Sequence, residues 1–476
     1  MINKTKKFYI TTTLPYVNAD PHIGFALEII QADVVARYHK SLGEEVFFNT
    51  GVDEHGLKIY RKAQENNMSP QEYCDLYAKK FDSLKSVLNL SYGSFIRTTD
   101  EHHIKATQEF WKLCEKNGDI YKKNYKTKYC IGCESEKTDS ELENGRCPIH
   151  PNLELEIIEE ENYFFKYSKY QQQLLDFYKN NPGFAVPESK LNEIVEFTKR
   201  GLEDFSVSRL KEKMPWGIDV PGDDKHVMYV WFDALVNYIS CLGWPEDKKI
   251  FNDFWPGMQV AGKDNLRQQA SMWQAMLMSA AIPNSKQIFI HGFITADGQK
   301  MSKSLGNVVN PFDLVEKYGT DAVRYYLLRE ISPTEDGDFT YEKFEQRYNS
   351  DLAGGVGNLL ARTFGIAKGI EIGEIRATEK TSKKISEARA SCNASLEKFR
   401  FNESLSAIWD LVSYCDKYIN EEKLWQTKNP VVISDLFFAL QEIAALLEVF
   451  LPETSARIKN SINSKKSEIL FPKIAE

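Results

Sequence analysis

Residues 8–25, FYITTTLPYVNADPHIGF, restrict what the chain can build more than any other stretch. Residues 8–13 alternate and are β-branched, which predicts a buried strand. Pro15 and Pro21 bracket a loop that can join neither helix nor sheet. From Ile23 the apolar positions fall at Ile23, Leu27, Ile30, Val34 and Tyr38, one face of a helix, while Glu28, Asp33, Arg37 and Lys40 take the other. A strand that turns into a helix presents free N–H groups and a positive dipole end, a setting that suits a phosphate. His22 adds a donor there, and Gly24 removes a side chain that would hold a nucleotide off the backbone. Taken alone, the stretch fits plain scaffold better.

A second signal lies far downstream, where Lys300-Met301-Ser302-Lys303-Ser304 follows Gly298. Two lysines three residues apart on a Gly- and Ser-rich loop can converge on a polyphosphate. The ordered pair, HIG near the start and KMSKS near residue 300, resembles the signature motifs of the class I aminoacyl-tRNA synthetases. The segments between and beyond resemble methionyl-tRNA synthetase over nearly the whole chain.

Composition bears on partners and location. At 476 residues the chain has room for about three domains, and no apolar run approaches the ~20 residues of a membrane span. Only residues 1–7 precede the first strand, so no leader is expected and the reading is cytoplasmic. A net charge of −8 does not advertise a nucleic-acid binder, so contact with RNA has to come from local patches and stacking. Of eight cysteines, Cys74, Cys114, Cys241, Cys392 and Cys415 stand apart and three cluster, which suggests metal rather than disulfides.

The cluster reads Cys130-Ile131-Gly132-Cys133 and, thirteen residues on, Cys147-Pro148-Ile149-His150. Four N/S donors close a tetrahedral Zn²⁺ site and leave no position for water, so one structural zinc is expected. This insert, residues 116–225, interrupts an α/β alternation. Ahead of it, the buried run EVFFNTG at 45–51 is followed at its carboxyl end by Asp53, where a strand of an open α/β sheet places a ligand; the alternative is a helix cap. After it, sheet-like sequence is read at 226–235, a strand end at 260–264 and a last strand at 288–293. Residues 317–329 read as a helix with a Gly-Thr-Asp start, and beyond 346 the periodicity is helical throughout.

The resemblance implies a doubly wound, Rossmann-type parallel-sheet domain in two halves (1–115 and 226–345), the zinc-knuckle insert, and an all-α anticodon-binding bundle at 346–476. It implies activation of L-methionine by ATP with Mg²⁺ and transfer to tRNA(Met), including the initiator. His22, Lys300 and Lys303 would be catalytic. ATP would meet Pro15, Tyr16, His22, Gly24, Phe25, Gly262, Asp264, Lys300, Ser302 and Lys303. Methionine would meet Leu14, Tyr16, Asp53, Trp231, Leu235 and Tyr238, with Asp53 on its amino group. Asn358, Arg362 and Trp425, an amide, a guanidinium and an indole, would read the anticodon, since these groups suit unpaired bases. The chain stops where the family core ends, which favours a monomer. Six departures stand out: Phe25 replaces the second His of the signature, Val52 a Thr, Asn265 an Ile, Gln269 a His, Gly354 an Asn and Leu424 a Pro. The related isoleucyl, valyl and leucyl enzymes carry a larger editing insert, for which residues 116–225 leave no room.

Overall fold

Strands β1 (Lys7–Thr12), β2 (Glu45–Val52), β3 (Ser94–Arg97), β4 (Ala185–Val186), β5 (Met258–Gly262) and β6 (Gln287–His291) form one sheet in the order β3-β2-β1-β5-β6-β4. The computed structural model describes residues 5–137, 139–301, 306–371 and 373–474. β1 pairs in parallel with β2 (Ile10 opposite Phe48) and with β5 (Ile10 opposite Met258), and β2–β3 and β6–β4 are parallel too. β1, β2, β5 and β6 are buried over consecutive residues because such a sheet is covered on both faces, although Thr11, Thr12, Asn49, Thr50 and Gln259 are polar. The sequence predicts β1, β2 and β6 to within two residues at each end and marks only the end of β5. It misses β3 and β4, which are too short to show a period.

The chain divides into two units. The first comprises Met1–Pro21, Gly43–Ser83 and Tyr92–Ile290 and holds the sheet. Its core is aromatic: Phe110 stacks on Trp273 at 5.5 Å, Trp111 meets Phe232 edge-on at 5.2 Å, and Tyr238 meets Trp273 at 6.0 Å. The insert in this unit is an antiparallel sheet in which Ile120–Cys130 pairs with Glu156–Phe165 along nearly its whole length. One expectation fails here. Residues 226–235 are not all sheet-like: the strand stops at Met228, and Val230–Leu235 is helical, as is Asn237–Ser240. Apart from His226 and Asp233 the run is apolar and shows no clear period, so the pattern does not separate helix from strand, and burial against the aromatic core decides.

The second unit comprises His22–Leu42, Leu84–Ser91 and His291–Glu476. Helix α1 (Ile23–Ser41) belongs to it, and its polar face is not solvated as an amphipathic pattern suggests. Glu28 meets His291 Nε2 at 2.9 Å, and Asp33 accepts from Arg37 at 2.7 Å, from Arg324 at 2.8 Å and from the Ser91 N–H at 2.7 Å. Arg324 is fully buried and also donates to the carbonyls of Phe450 (2.7 Å) and Leu88 (3.0 Å). Residues 317–329 do not form one helix: Pro311–Tyr318 and Thr320–Arg329 break at Gly319, whose φ of +86° suits glycine. Five longer helices follow, from Asn358–Ala367 to Pro452–Ser464. Pro430–Leu447 is the one described helix apolar and long enough to span a bilayer by composition; with 61% of it buried, it is read as the core of the helical bundle.

Candidate active site and metal knuckle

In the first unit the strand order reverses direction at β1, with β2 on one side and β5 on the other, and a parallel sheet opens a crevice at such a point beyond its carboxyl ends. Leu14, Pro15 and Tyr16 leave β1 there, Asp53 follows β2, and Gly262 and Asp264 follow β5. Two hydrogen bonds tie the first two segments: Val17 N–H donates to the Asp53 carbonyl at 3.2 Å, and Asp53 N–H to the Pro15 carbonyl at 2.9 Å. The Asp53 side chain is only 3% exposed, and its Oδ1 has no hydrogen-bond partner. Burial, with the nearby Asp233 charge, pushes its carboxyl well above the usual carboxylate range. The Tyr16 hydroxyl is likewise buried without a partner.

Trp231, Leu235 and Tyr238 lie on the two short helices that end the aromatic run. Tyr9 of β1 donates to the Tyr238 carbonyl at 2.8 Å, which fastens this wall to the sheet. The Tyr238 hydroxyl accepts from Gln269 Nε2 at 2.6 Å, so the residue that replaces the family His holds the tyrosine with a neutral amide. Asn265 donates to Asp264 at 3.2 Å.

Sequence reasoning missed the polar groups beneath this edge. Asp233 accepts from His55 Nδ1 at 2.6 Å and His103 Nε2 at 2.9 Å, and His103 Nδ1 meets the Ser240 hydroxyl at 2.8 Å. Burial raises Asp233, but the two imidazoles outweigh it and hold the carboxyl below its ordinary range. Glu54 accepts from Arg97, the last residue of β3, at 2.7 Å and from the Thr99 hydroxyl two residues on. The available signal was a charge inside an apolar string, as in VWFDALV.

In the second unit His22 is the N-cap of α1, and its Nδ1 accepts the Gly24 N–H at 3.1 Å. The proton of a neutral His22 ring therefore sits on Nε2, a donor directed away from the backbone. A Cβ on Gly24 would stand 2.9 Å from His22 Cε1, so the glycine is needed by the imidazole itself. Phe25 lies in the first turn, its N–H donating to the His22 carbonyl at 3.0 Å. Lys300 ends the short strand Gln299–Lys300 and is exposed. Ser302 and Lys303 lie outside the described residues. Asn358 and Arg362 share a helix, and Arg362 lies 5.9 Å from the ring of Trp425, which is 48% exposed. Arg362 also donates to Asn420 at 2.5 Å.

Cys130, Cys133, Cys147 and His150 converge, all four ligand atoms lying within 4.8 Å of one another. Three thiols and an imidazole so close form a donor set that fits a metal ion. A Cβ on Gly132 would stand 2.5 Å from the His150 ring, so the knuckle closes tightly.

A doubly wound parallel sheet, a helix opened by HIG and a helical bundle in one chain define a class I tRNA synthetase. The family model of class I (M) tRNA synthetases matches residues 8–154 and 138–364, and that of the anticodon-binding domain of tRNA ligases matches 380–475. Methionine–tRNA ligase of Nostoc sp. is 43% identical over 96% of this chain and 90% of its own length. That of Thermotoga maritima is 39% identical over 95% and 74%. The Mycobacterium tuberculosis methionyl-tRNA synthetase in complex with methionyl-adenylate superposes with a TM-score of 0.91 at 32% identity, covering 98% of each chain. The chain belongs to the methionine–tRNA ligase family.

Proposed function

We propose that this chain activates L-methionine with ATP, giving methionyl-adenylate and pyrophosphate, and then transfers methionine to the 3′ adenosine of tRNA(Met), the initiator included. Asp53 carries the substrate side of this reading. A carboxylate buried at the carboxyl edge of the sheet, with one oxygen unpartnered, calls for a cation, and an amino-acid ammonium supplies one. Leu14, Tyr16, Trp231, Leu235 and Tyr238 offer apolar and aromatic surface, against which a thioether gains sulfur–aromatic contact.

The attacking carboxylate is already ionised at pH 7, so activation needs no general base. What remains is positioning and the stabilisation of charge on the phosphates. We assign that charge to His22 through its Nε2–H and to Lys300 and Lys303. The loops at Pro15–Tyr16, Gly24–Phe25 and Gly262–Asp264, with Ser302, take the remainder of ATP, which arrives with Mg²⁺ as part of the substrate. One Zn²⁺ fits the Cys130, Cys133, Cys147 and His150 set, where it orders the insert. Functionally the chain divides at 115, 225 and 345, and it acts as a cytoplasmic monomer.

The test is pyrophosphate exchange measured across the amino acids. Methionine alone should support rapid exchange; isoleucine, valine, leucine or cysteine doing so instead would overturn the reading.

For tRNA, Asn358, Arg362 and Trp425 are assigned to unpaired anticodon bases. Trp425→Ala should lower aminoacylation by roughly ten- to a hundredfold, one base stack being worth about 1–3 kcal/mol. Exchange should be unchanged. Equal losses in the two assays would make Trp425 a packing residue.

A further inference from the structure

The metal knuckle reaches the sheet edge through the loop at 132–134, and the Glu134 side chain makes the closest contact. Glu134 follows Cys133 directly, is fully buried, and holds φ of +49°, a conformation glutamate keeps only when its surroundings fix it. Its Oε1 accepts the Lys58 N–H at 2.5 Å, and its Oε2 accepts the Tyr129 hydroxyl. Lys58 stands in the first turn of helix α2 (Leu57–Glu65), whose own N-cap, Gly56, offers no side chain. A Cβ on Gly56 would stand 3.1 Å from Glu134 Oε1. The exposed N–H groups and positive dipole end of α2 are thus met by a carboxylate borrowed from the knuckle.

The same loop is gripped twice more. The Tyr229 hydroxyl donates to the Glu134 carbonyl. Lys58 Nζ donates to the Gly132 carbonyl at 3.3 Å and lies 5.7 Å from the Tyr16 ring centroid. α2 begins immediately after the segment that carries Asp53, and Asp53 in turn is bonded to the Tyr16 loop.

We propose that Glu134 is a positioning residue: it is the strut through which the metal-ordered knuckle holds Asp53 and Tyr16 for the substrate ammonium. Metal content then sets methionine affinity although no knuckle residue contacts methionine. The inference rests on the reading of Asp53 as the ammonium partner.

The experiment measures methionine and ATP dissociation constants by equilibrium dialysis, with zinc content, for the natural chain, Glu134→Ala, Glu134→Asp and Asp53→Asn, each before and after chelation. Chelation should weaken methionine binding of the natural chain about tenfold, an ordinary size for coupling between two sites. Glu134→Ala with its metal should already be about tenfold weaker and lose nothing more on chelation. Glu134→Asp, one methylene short of Lys58, should be weaker by about threefold or more. ATP binding should not move. Metal-loaded Glu134 variants that bind methionine like the natural chain would overturn the proposal. So would a further loss when Glu134→Ala is chelated, or a parallel loss of ATP affinity. If chelation unfolds the chain, the two metal-loaded variants decide. Unchanged methionine binding by Asp53→Asn would reject the ammonium site itself, a failure distinct from that of the strut.

Discussion

Asp53→Asn should raise the KM for methionine in pyrophosphate exchange by two to three orders of magnitude and leave the KM for ATP within about threefold. Removing one partner of a buried charge pair costs roughly 3–5 kcal/mol, because the remaining charge is stranded. The amide is isosteric and still meets the backbone of the Pro15 loop through its own N–H and C=O, so the loss is charge and not shape. A pH signature accompanies it. Burial and Asp233 raise the Asp53 carboxyl in the free protein, so it must release a proton before it holds an ammonium. Methionine affinity of the natural chain should therefore rise with pH on the acid side, and Asp53→Asn should lose that slope. An unchanged KM, or a slope that persists in the variant, would remove Asp53 from the site.

Lys303→Ala should slow adenylate formation by at least a hundredfold while methionine binding, read by equilibrium dialysis, hardly changes. An oriented cation facing charge that develops in the transition state is worth roughly 3–4 kcal/mol. The effect should appear in kcat because the charge on the phosphates grows after binding. A near-normal exchange rate would leave the work to His22 and Lys300.

What the sequence made legible, and what it hid, follows from the range of the interactions. β1 was readable because β-branched residues favour a strand, although burial there runs through consecutive residues rather than alternating, as in a sheet covered on both faces. The knuckle was readable because ligand spacing is local, and Cys130, Cys133, Cys147 and His150 do converge. The polar face of α1 misled, because the partners that bury it, His291 and Arg324, stand far along the chain and leave no trace beside Glu28 or Asp33. The helical Val230–Leu235 misled because an apolar run interrupted only by Asp233 carries no clear period. Glu134 could not be found from sequence: α2 gives no hint that its cap comes from elsewhere. Gly24 was noticed for room beside a nucleotide, whereas the atom it makes room for is in the His22 ring.

Arg324 bears on how the chain can be taken apart. A fragment ending at residue 345, chosen to isolate the chemistry from the RNA-reading helices, would keep Arg324 and Asp33 but lose the Phe450 carbonyl that the guanidinium uses. Truncation also uncovers the buried apolar residues of Thr320–Arg329, among them Tyr325, which packs on the Trp409 ring at 4.6 Å, and apolar surface returned to water costs about 25 cal/mol per Å². Asp33, on the helix that presents His22, keeps Arg37, Arg324 and the Ser91 N–H, but Arg324 itself is no longer held from the side of Phe450. The anticodon-reading half is thus no detachable module, and a minimal catalytic fragment has to retain residues 447–451 or carry a redesigned, uncharged contact in place of Arg324 and Asp33 together.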